Sequence, residues 1–89
     1  MTSYDTIISR LEGATGADNE LDIAVDIALF HPDERHDAVR ANAAGTKLVY
    51  TRRGGGTDTF LATDHTLNET TRRNAIALMR ALKAKEGVK

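Results

Sequence analysis

Residues 46–63, TKLVYTRRGGGTDTFLAT, decide the fold of this 89-residue chain. Two runs rich in β-branched and aromatic residues, 46–52 and 57–63, flank the glycines at 54–56, and this pattern predicts a β-hairpin. Because side chains alternate along a strand, one face of the hairpin collects its large apolar residues. The residues expected to share faces in this way are Leu48 with Tyr50, and Phe60 with Ala62.

A hairpin alone does not make a stable sheet in water. Either helices cover one of its faces, or a third strand or a second subunit extends it. A symmetric dimer joined at a hairpin edge would give a four-stranded sheet. The sequence leaves these alternatives open.

Two helices are predicted before the hairpin. The first begins within residues 2–5, where a hydroxyl is followed three residues later by an acid, and it ends at the glycines at 13 and 16. Asp18 is a natural cap for the second helix, which runs to about Phe30. Apolar residues recur at helical spacing in both segments, so both helices should line the core.

Two more helices are predicted around the hairpin. Pro32 suits the first position of a weak helix over 32–42, with acidic residues in its first turn. Thr66 and Glu69 have the spacing of a capping box that starts the last helix, which stops near Gly87. The predicted fold class is therefore α+β, a small α-β-β-α sandwich with helices packed on a central antiparallel hairpin.

Composition limits the chain to one domain covering residues 1–89. The absence of cysteine from the sequence excludes disulfides and thiolate metal sites. No apolar run approaches the length of a membrane span, and the first ten residues lack the basic start of a signal peptide, so a cytoplasmic protein is expected. A near-neutral chain with four aromatic residues argues against sequence-specific DNA binding.

The net charge of −1 hides an asymmetry between the two halves of the chain. Residues 1–45 carry nine acids and three bases, whereas residues 46–89 carry four acids and nine bases. Such a division indicates either two halves that pack on each other with complementary charge, or a face that attracts a charged partner. Both interpretations remain open.

The most suggestive local feature is RRGGGTD at 52–58. Glycines let backbone N–H groups converge on an anion, and arginines grip phosphate through paired hydrogen bonds. The segment is not a P-loop, because it lacks the Gly-Lys-Ser/Thr signature and lies at a hairpin tip. The last helix adds a basic flank. The candidate ligand- or partner-binding residues are Arg52, Arg53, Gly54, Gly55, Arg73 and Arg80.

Other constellations are interpreted as structural. His31, Asp33, His36 and Asp37 are clustered, but the two histidines lack the spacing for a shared helix face, so no metal site is expected. A second set, Asp22 and Asp26, shares one helix face and is expected to be solvated. A third set, Asp64, His65 and Thr66 beside Ser3 or Ser9, has no nucleophile-elbow pattern. No catalytic residue and no cofactor are expected.

Two stretches resemble a known family. Residues 8–22, ISRLEGATGADNELD, and residues 75–84, AIALMRALKA, are similar to the opening and the closing helix of the phage α/β/α sandwich domain family. Together they cover 25 of the 89 residues, a little over a quarter of the chain. The resemblance implies a phage or prophage origin and a sandwich fold, and it implies no catalytic chemistry.

The expected function follows from that suspected origin. The chain is predicted to be a non-enzymatic phage accessory protein that binds and blocks a host protein, in the manner of an anti-CRISPR inhibitor. One alternative is an oligomeric sponge that sequesters a nucleotide immune signal. Another is a structural or regulatory protein of the virion or of lysogeny. A homodimer is compatible with all three.

Overall fold

Helices and strands form separate layers in the computed structural model, which describes residues 3–87. The predicted α+β class is confirmed within this range. The elements in chain order are α1 (Tyr4–Gly13), α2 (Asn19–Leu29), β1 (His36–Ala41), β2 (Leu48–Arg52), β3 (Thr57–Phe60) and α3 (Glu69–Gly87).

The helical layer holds the main apolar core. Helices α1, α2 and α3 each contribute side chains at helical spacing, as their apolar stripes predict. Partly buried Tyr4 and Ala14 extend the α1 stripe against this core. The buried members are Ile7, Ile8, Leu11, Leu21, Val25, Ala75 and Met79.

The sheet is antiparallel with the order β1-β2-β3. Tyr50 of the central strand lies opposite Val39 on one side and Asp58 on the other. Its ring contacts the ring of Phe30, the residue that follows α2, with centroids 6.0 Å apart. The face of the sheet that carries Tyr50 therefore packs towards α2.

The weak helix predicted over 32–42 is wrong, since this segment supplies strand β1. Asp33 accepts hydrogen bonds from the backbone N–H groups of Arg35 and His36, both at 2.8 Å, so it closes a turn instead of opening a helix. Pairing with β2 then satisfies the backbone of the segment. Within the chain, β1 extends the hairpin to three strands, and Phe30 at the end of α2 packs on one of its faces.

The helix caps match the predictions in part. Asp18 caps α2 by accepting from the N–H of Leu21 at 3.1 Å. Ser3 caps α1, while Thr2 lies outside the described residues. The capping box predicted for Thr66 and Glu69 is wrong: Asn68 and Thr71 form it, because the Asn68 side chain accepts from the Thr71 N–H and the Thr71 hydroxyl accepts from the Asn68 N–H.

Candidate functional site

Three aspartates, two on α2 and one at its N-cap, fasten the connecting loop, which we define as residues 61–68 between β3 and α3. Asp18, Asp22 and Asp26 are spaced four residues apart, so they follow one another along one side of the helix. Asp22 and Asp26 bond to the connecting loop through their carboxylates, and Asp18 bonds to it through its backbone N–H and carbonyl. We call these three residues the carboxylate row.

Thr66 is the most deeply buried attachment of the connecting loop, with no exposed surface. Its hydroxyl accepts from the Asp18 N–H at 2.7 Å and lies 3.3 Å from the Asp18 carbonyl oxygen, to which it donates. Its own N–H donates to Asp22 Oδ1 at 2.8 Å. Arg72 donates to the Thr66 carbonyl at 2.9 Å. These bonds account for every polar group of Thr66.

Asp26 holds the other end of the connecting loop. Its Oδ2 accepts from the Thr63 N–H at 2.7 Å, and its Oδ1 lies 2.6 Å from His65 Nε2. The side chains of Asp26 and His65 are only 12% and 13% exposed. The predicted solvated face of α2 is therefore wrong, because the connecting loop covers Asp22 and Asp26 and supplies their hydrogen-bond donors.

A cavity of about 330 Å³ opens beside Asp26, between α2 and the sheet. We call it the sheet cavity. The Tyr50 ring forms its aromatic wall together with Phe60, at a centroid distance of 5.7 Å and an interplanar angle of 65°. The lining residues are Asp26, His36, Tyr50, Phe60, Leu61 and Thr63.

A second histidine–aspartate pair crosses the sheet next to this cavity. His36 Nε2 on β1 lies 2.8 Å from Asp58 Oδ2 on β3, and Arg52 Nε lies 3.4 Å from Asp58 Oδ1. The hydrogen bond from His36, assisted by the Arg52 charge, lowers the pKa of Asp58 below its ordinary value. Burial, followed by the charge of Asp26, raises the pKa of Tyr50.

The rim of the sheet cavity is apolar and exposed. Phe60 is 53% exposed and Leu61 is 74% exposed, although both are large hydrophobic residues. They are consecutive, at the end of the edge strand β3. Adjacent exposed apolar side chains beside a concave surface are typical of an interaction site.

The arginines of the hairpin tip are engaged within the chain. Arg52 donates to the Thr57 carbonyl at 3.2 Å besides facing Asp58, and Arg53 donates from Nε to the Asp33 carbonyl. Gly55 adopts a positive φ of 103°, as a tight turn requires, and Gly54 has open space around it. The tip is thus a stabilised turn whose arginines remain partly exposed.

Arg73 and Arg80 lie elsewhere, on α3 beside α1. Arg73 pairs with Glu69 at 2.6 Å, and Arg80 pairs with Glu12 at 3.3 Å. Lys83 similarly meets Asp5 at 2.6 Å. Acids of the first half therefore neutralise bases of the second half along the α1–α3 contact. The structure divides the six candidate binding residues between the α1–α3 contact, where Arg73 and Arg80 lie, and the hairpin tip.

Four of the remaining sequence candidates have structural roles: Ser3, Asp33, His36 and His65. Asp33 closes a turn and His36 pairs with Asp58, and within residues 3–87 no group of three histidine, aspartate or glutamate side chains is arranged to hold a metal ion. His65 pairs with Asp26 and not with Asp64, while the Ser3 hydroxyl caps α1.

An apolar groove of about 670 Å³ lies among the three helices. Its walls include Ile23, Ala24 and Ile27 of α2. Its polar rim is already paired, because Lys83 bonds to Asp5 and the Tyr4 hydroxyl donates to Glu86 at 3.3 Å. The groove offers volume without convergent polar groups, in contrast to the sheet cavity.

Sequence reasoning did not find the sheet cavity. Two of its polar members were misassigned: His36 was predicted to lie in a helix, and Asp26 was predicted to face solvent. The four-residue spacing of Asp18, Asp22 and Asp26 was the available signal, since a regular acidic row on an otherwise apolar helix favours a polar segment docked along it.

Comparisons with known proteins add no relative: no family model, no curated protein and no solved structure matches this chain. None of the helices within residues 3–87 combines the length and apolar character needed to cross a membrane.

Proposed function

We propose that this chain is a small, non-enzymatic binding protein of phage or prophage origin that occupies the surface of a host defence protein and blocks it. The origin rests on the resemblance of residues 8–22 and 75–84 to phage sandwich domains. The mode of action rests on the surface described above.

The observation that carries the proposal is the exposed pair Phe60 and Leu61 at the rim of the sheet cavity. Covering large apolar side chains with a partner lowers the free energy of the complex. Aromatic anchors beside a pocket supply much of the binding energy of protein interfaces. Polar groups of the cavity, Asp26 and Tyr50 among them, would give that contact its specificity.

The neutralised arginines support a protein partner over a phosphate-rich one. Arg73 and Arg80 face glutamates, and Arg52 faces Asp58. A phosphate ligand would have to compete with these carboxylates for the arginines. A protein that covers the apolar rim would have to displace only water. The sheet cavity is therefore the better candidate for the contact surface.

A pair of matched variants tests the proposal by affinity capture from the natural host cells. Leu61→Arg places a bulky cation on the rim, and Leu67→Arg places the same group on another exposed leucine, which is 55% exposed in the connecting loop. We expect wild type and Leu67→Arg to capture the same host protein and Leu61→Arg to lose it. Equal capture by both variants would place the contact elsewhere and refute the assignment.

A further inference from the structure

The sheet cavity combines an aromatic wall with a buried negative charge. Tyr50 and Phe60 provide the wall, and Phe60 leaves about half of its surface open to solvent. Asp26 provides the charge from the α2 side, with a side chain that is 12% exposed. Both features line the same volume of about 330 Å³.

The charged-group partner of Asp26 is a histidine, His65, and not an arginine or a lysine. Among residues 3–87 no arginine or lysine pairs with Asp26, whose bonds go to the Thr63 N–H and the His65 imidazole. Asp58, the other carboxylate nearby, is compensated by Arg52. A carboxylate offers about four lone-pair positions, so the two bonds leave Asp26 capacity to accept more.

The influence of Asp26 extends to the aromatic wall. Its negative charge is one of the causes, after burial, that raise the pKa of the Tyr50 phenol. A cation stacked on the exposed ring of Phe60, beside Tyr50, would meet an electron-rich ring and lie in the field of the carboxylate.

We propose that the sheet cavity binds the guanidinium group of an arginine side chain presented by the partner protein. This inference rests on the proposed function, since it names the group on the partner that the same surface receives. A guanidinium is planar and weakly hydrated, stacks on aromatic rings, and donates a fork of hydrogen bonds that fits a carboxylate. The cavity is near the lower limit of small-molecule sites, about 300 Å³, which suits one side chain.

The test is an NMR titration of the whole chain with acetyl-Gly-Arg-Gly-amide, and with the same peptide carrying citrulline, the neutral isostere of arginine. We expect saturable shifts of the backbone signals of Tyr50, Phe60, Leu61 and Thr63. The arginine peptide should bind at least about fivefold more tightly than the citrulline peptide. No saturable shift, or equal affinity for the two peptides, would overturn the proposal.

Two further arms identify the contributions of the guanidinium and of the ring. A lysine peptide that binds as tightly as the arginine peptide would overturn the assignment to a guanidinium.

Phe60→Leu keeps an apolar side chain without the ring and should weaken arginine binding by about threefold or more. Leu67→Ala, outside the cavity lining, should leave that affinity unchanged, and an unchanged affinity in Phe60→Leu would contradict the stacking role.

This titration is independent of the capture experiment with Leu61→Arg. If Leu61→Arg loses the host protein while no arginine peptide binds, the proposed function stands and the guanidinium assignment fails. If the arginine peptide binds in the cavity while Leu61→Arg still captures the host protein, the cavity ligand is confirmed and the docking surface is refuted.

Discussion

Hydrogen bonds hold both the carboxylate row and the hairpin tip, but the row includes a buried bond and the bonds of the tip are exposed. At the carboxylate row, Asp22 is 5% exposed and receives the N–H of a residue with no exposed surface. At the tip, the partners of Arg52 and Arg53 lie near solvent. A hydrogen bond contributes little net stability where water can replace it, but a buried group left without its partner is costly. The first region should therefore control folding, and the second should tolerate change.

The largest effect should come from Asp22→Ala, which leaves the buried Thr66 N–H without an acceptor. We expect the free energy of unfolding to fall by about 2–3 kcal/mol, measured by urea denaturation. Glu20→Ala, on the exposed side of the same helix, is the control and should cost less than about 0.5 kcal/mol. Equal stability of the two variants would refute the role of the carboxylate row.

Thr66→Val should have the next largest effect. The substitution keeps the shape of the side chain and removes the hydroxyl that bonds to both the N–H and the carbonyl of Asp18. A loss of about 1–2 kcal/mol is expected in the same denaturation experiment. Thr59→Val on exposed β3 should leave stability nearly unchanged, and a similar loss in both variants would argue against a special contribution of Thr66.

Substitutions at the glycines of the hairpin tip should be milder. Gly55→Ala forces a β-carbon into a positive φ and should cost about 1 kcal/mol. Gly54 lies in the same turn without that constraint, and nothing lies within 4 Å of an added β-carbon. Thermal unfolding should therefore give a lower melting temperature for Gly55→Ala than for Gly54→Ala. Identical melting temperatures would contradict the observed turn.

The smallest effect concerns pH. Because the pKa of Asp58 is lowered in the fold, its ionised form stabilises the protein above the ordinary pKa near 4, and this contribution is lost as pH falls through the lowered value. Unfolding free energies measured from pH 5 down to pH 2 should fall less steeply for Asp58→Asn than for wild type. Parallel curves would contradict the pairing with His36.

Local sequence patterns predicted the parts of the fold that local interactions determine. The apolar stripes of α1, α2 and α3 and the glycines between two β-rich runs were sufficient for the helices and the hairpin. Strand β1 was missed because the segment HDAVRA has no clear period of two, and its pairing partner lies on a distant stretch of chain.

The site was harder to predict than the fold because tertiary contacts create it. Asp22 and Asp26 lie on the polar line of α2, and only docking of the connecting loop buries them. The arginine-rich tip was conspicuous in sequence, yet each of its arginines has an acceptor within the chain. Phe60 and Leu61 were predicted to lie in a strand, and their exposure at the rim of the cavity was not predicted.

The central claim is that the rim of the sheet cavity binds a host protein. Native mass spectrometry of the untagged chain, isolated from its natural cells, tests this claim most directly. The account predicts a stoichiometric complex with one host protein for wild type and for Leu67→Arg, and a bare chain for Leu61→Arg. A bare mass for all three, or an oligomer carrying a few hundred daltons of bound small molecule, would contradict it.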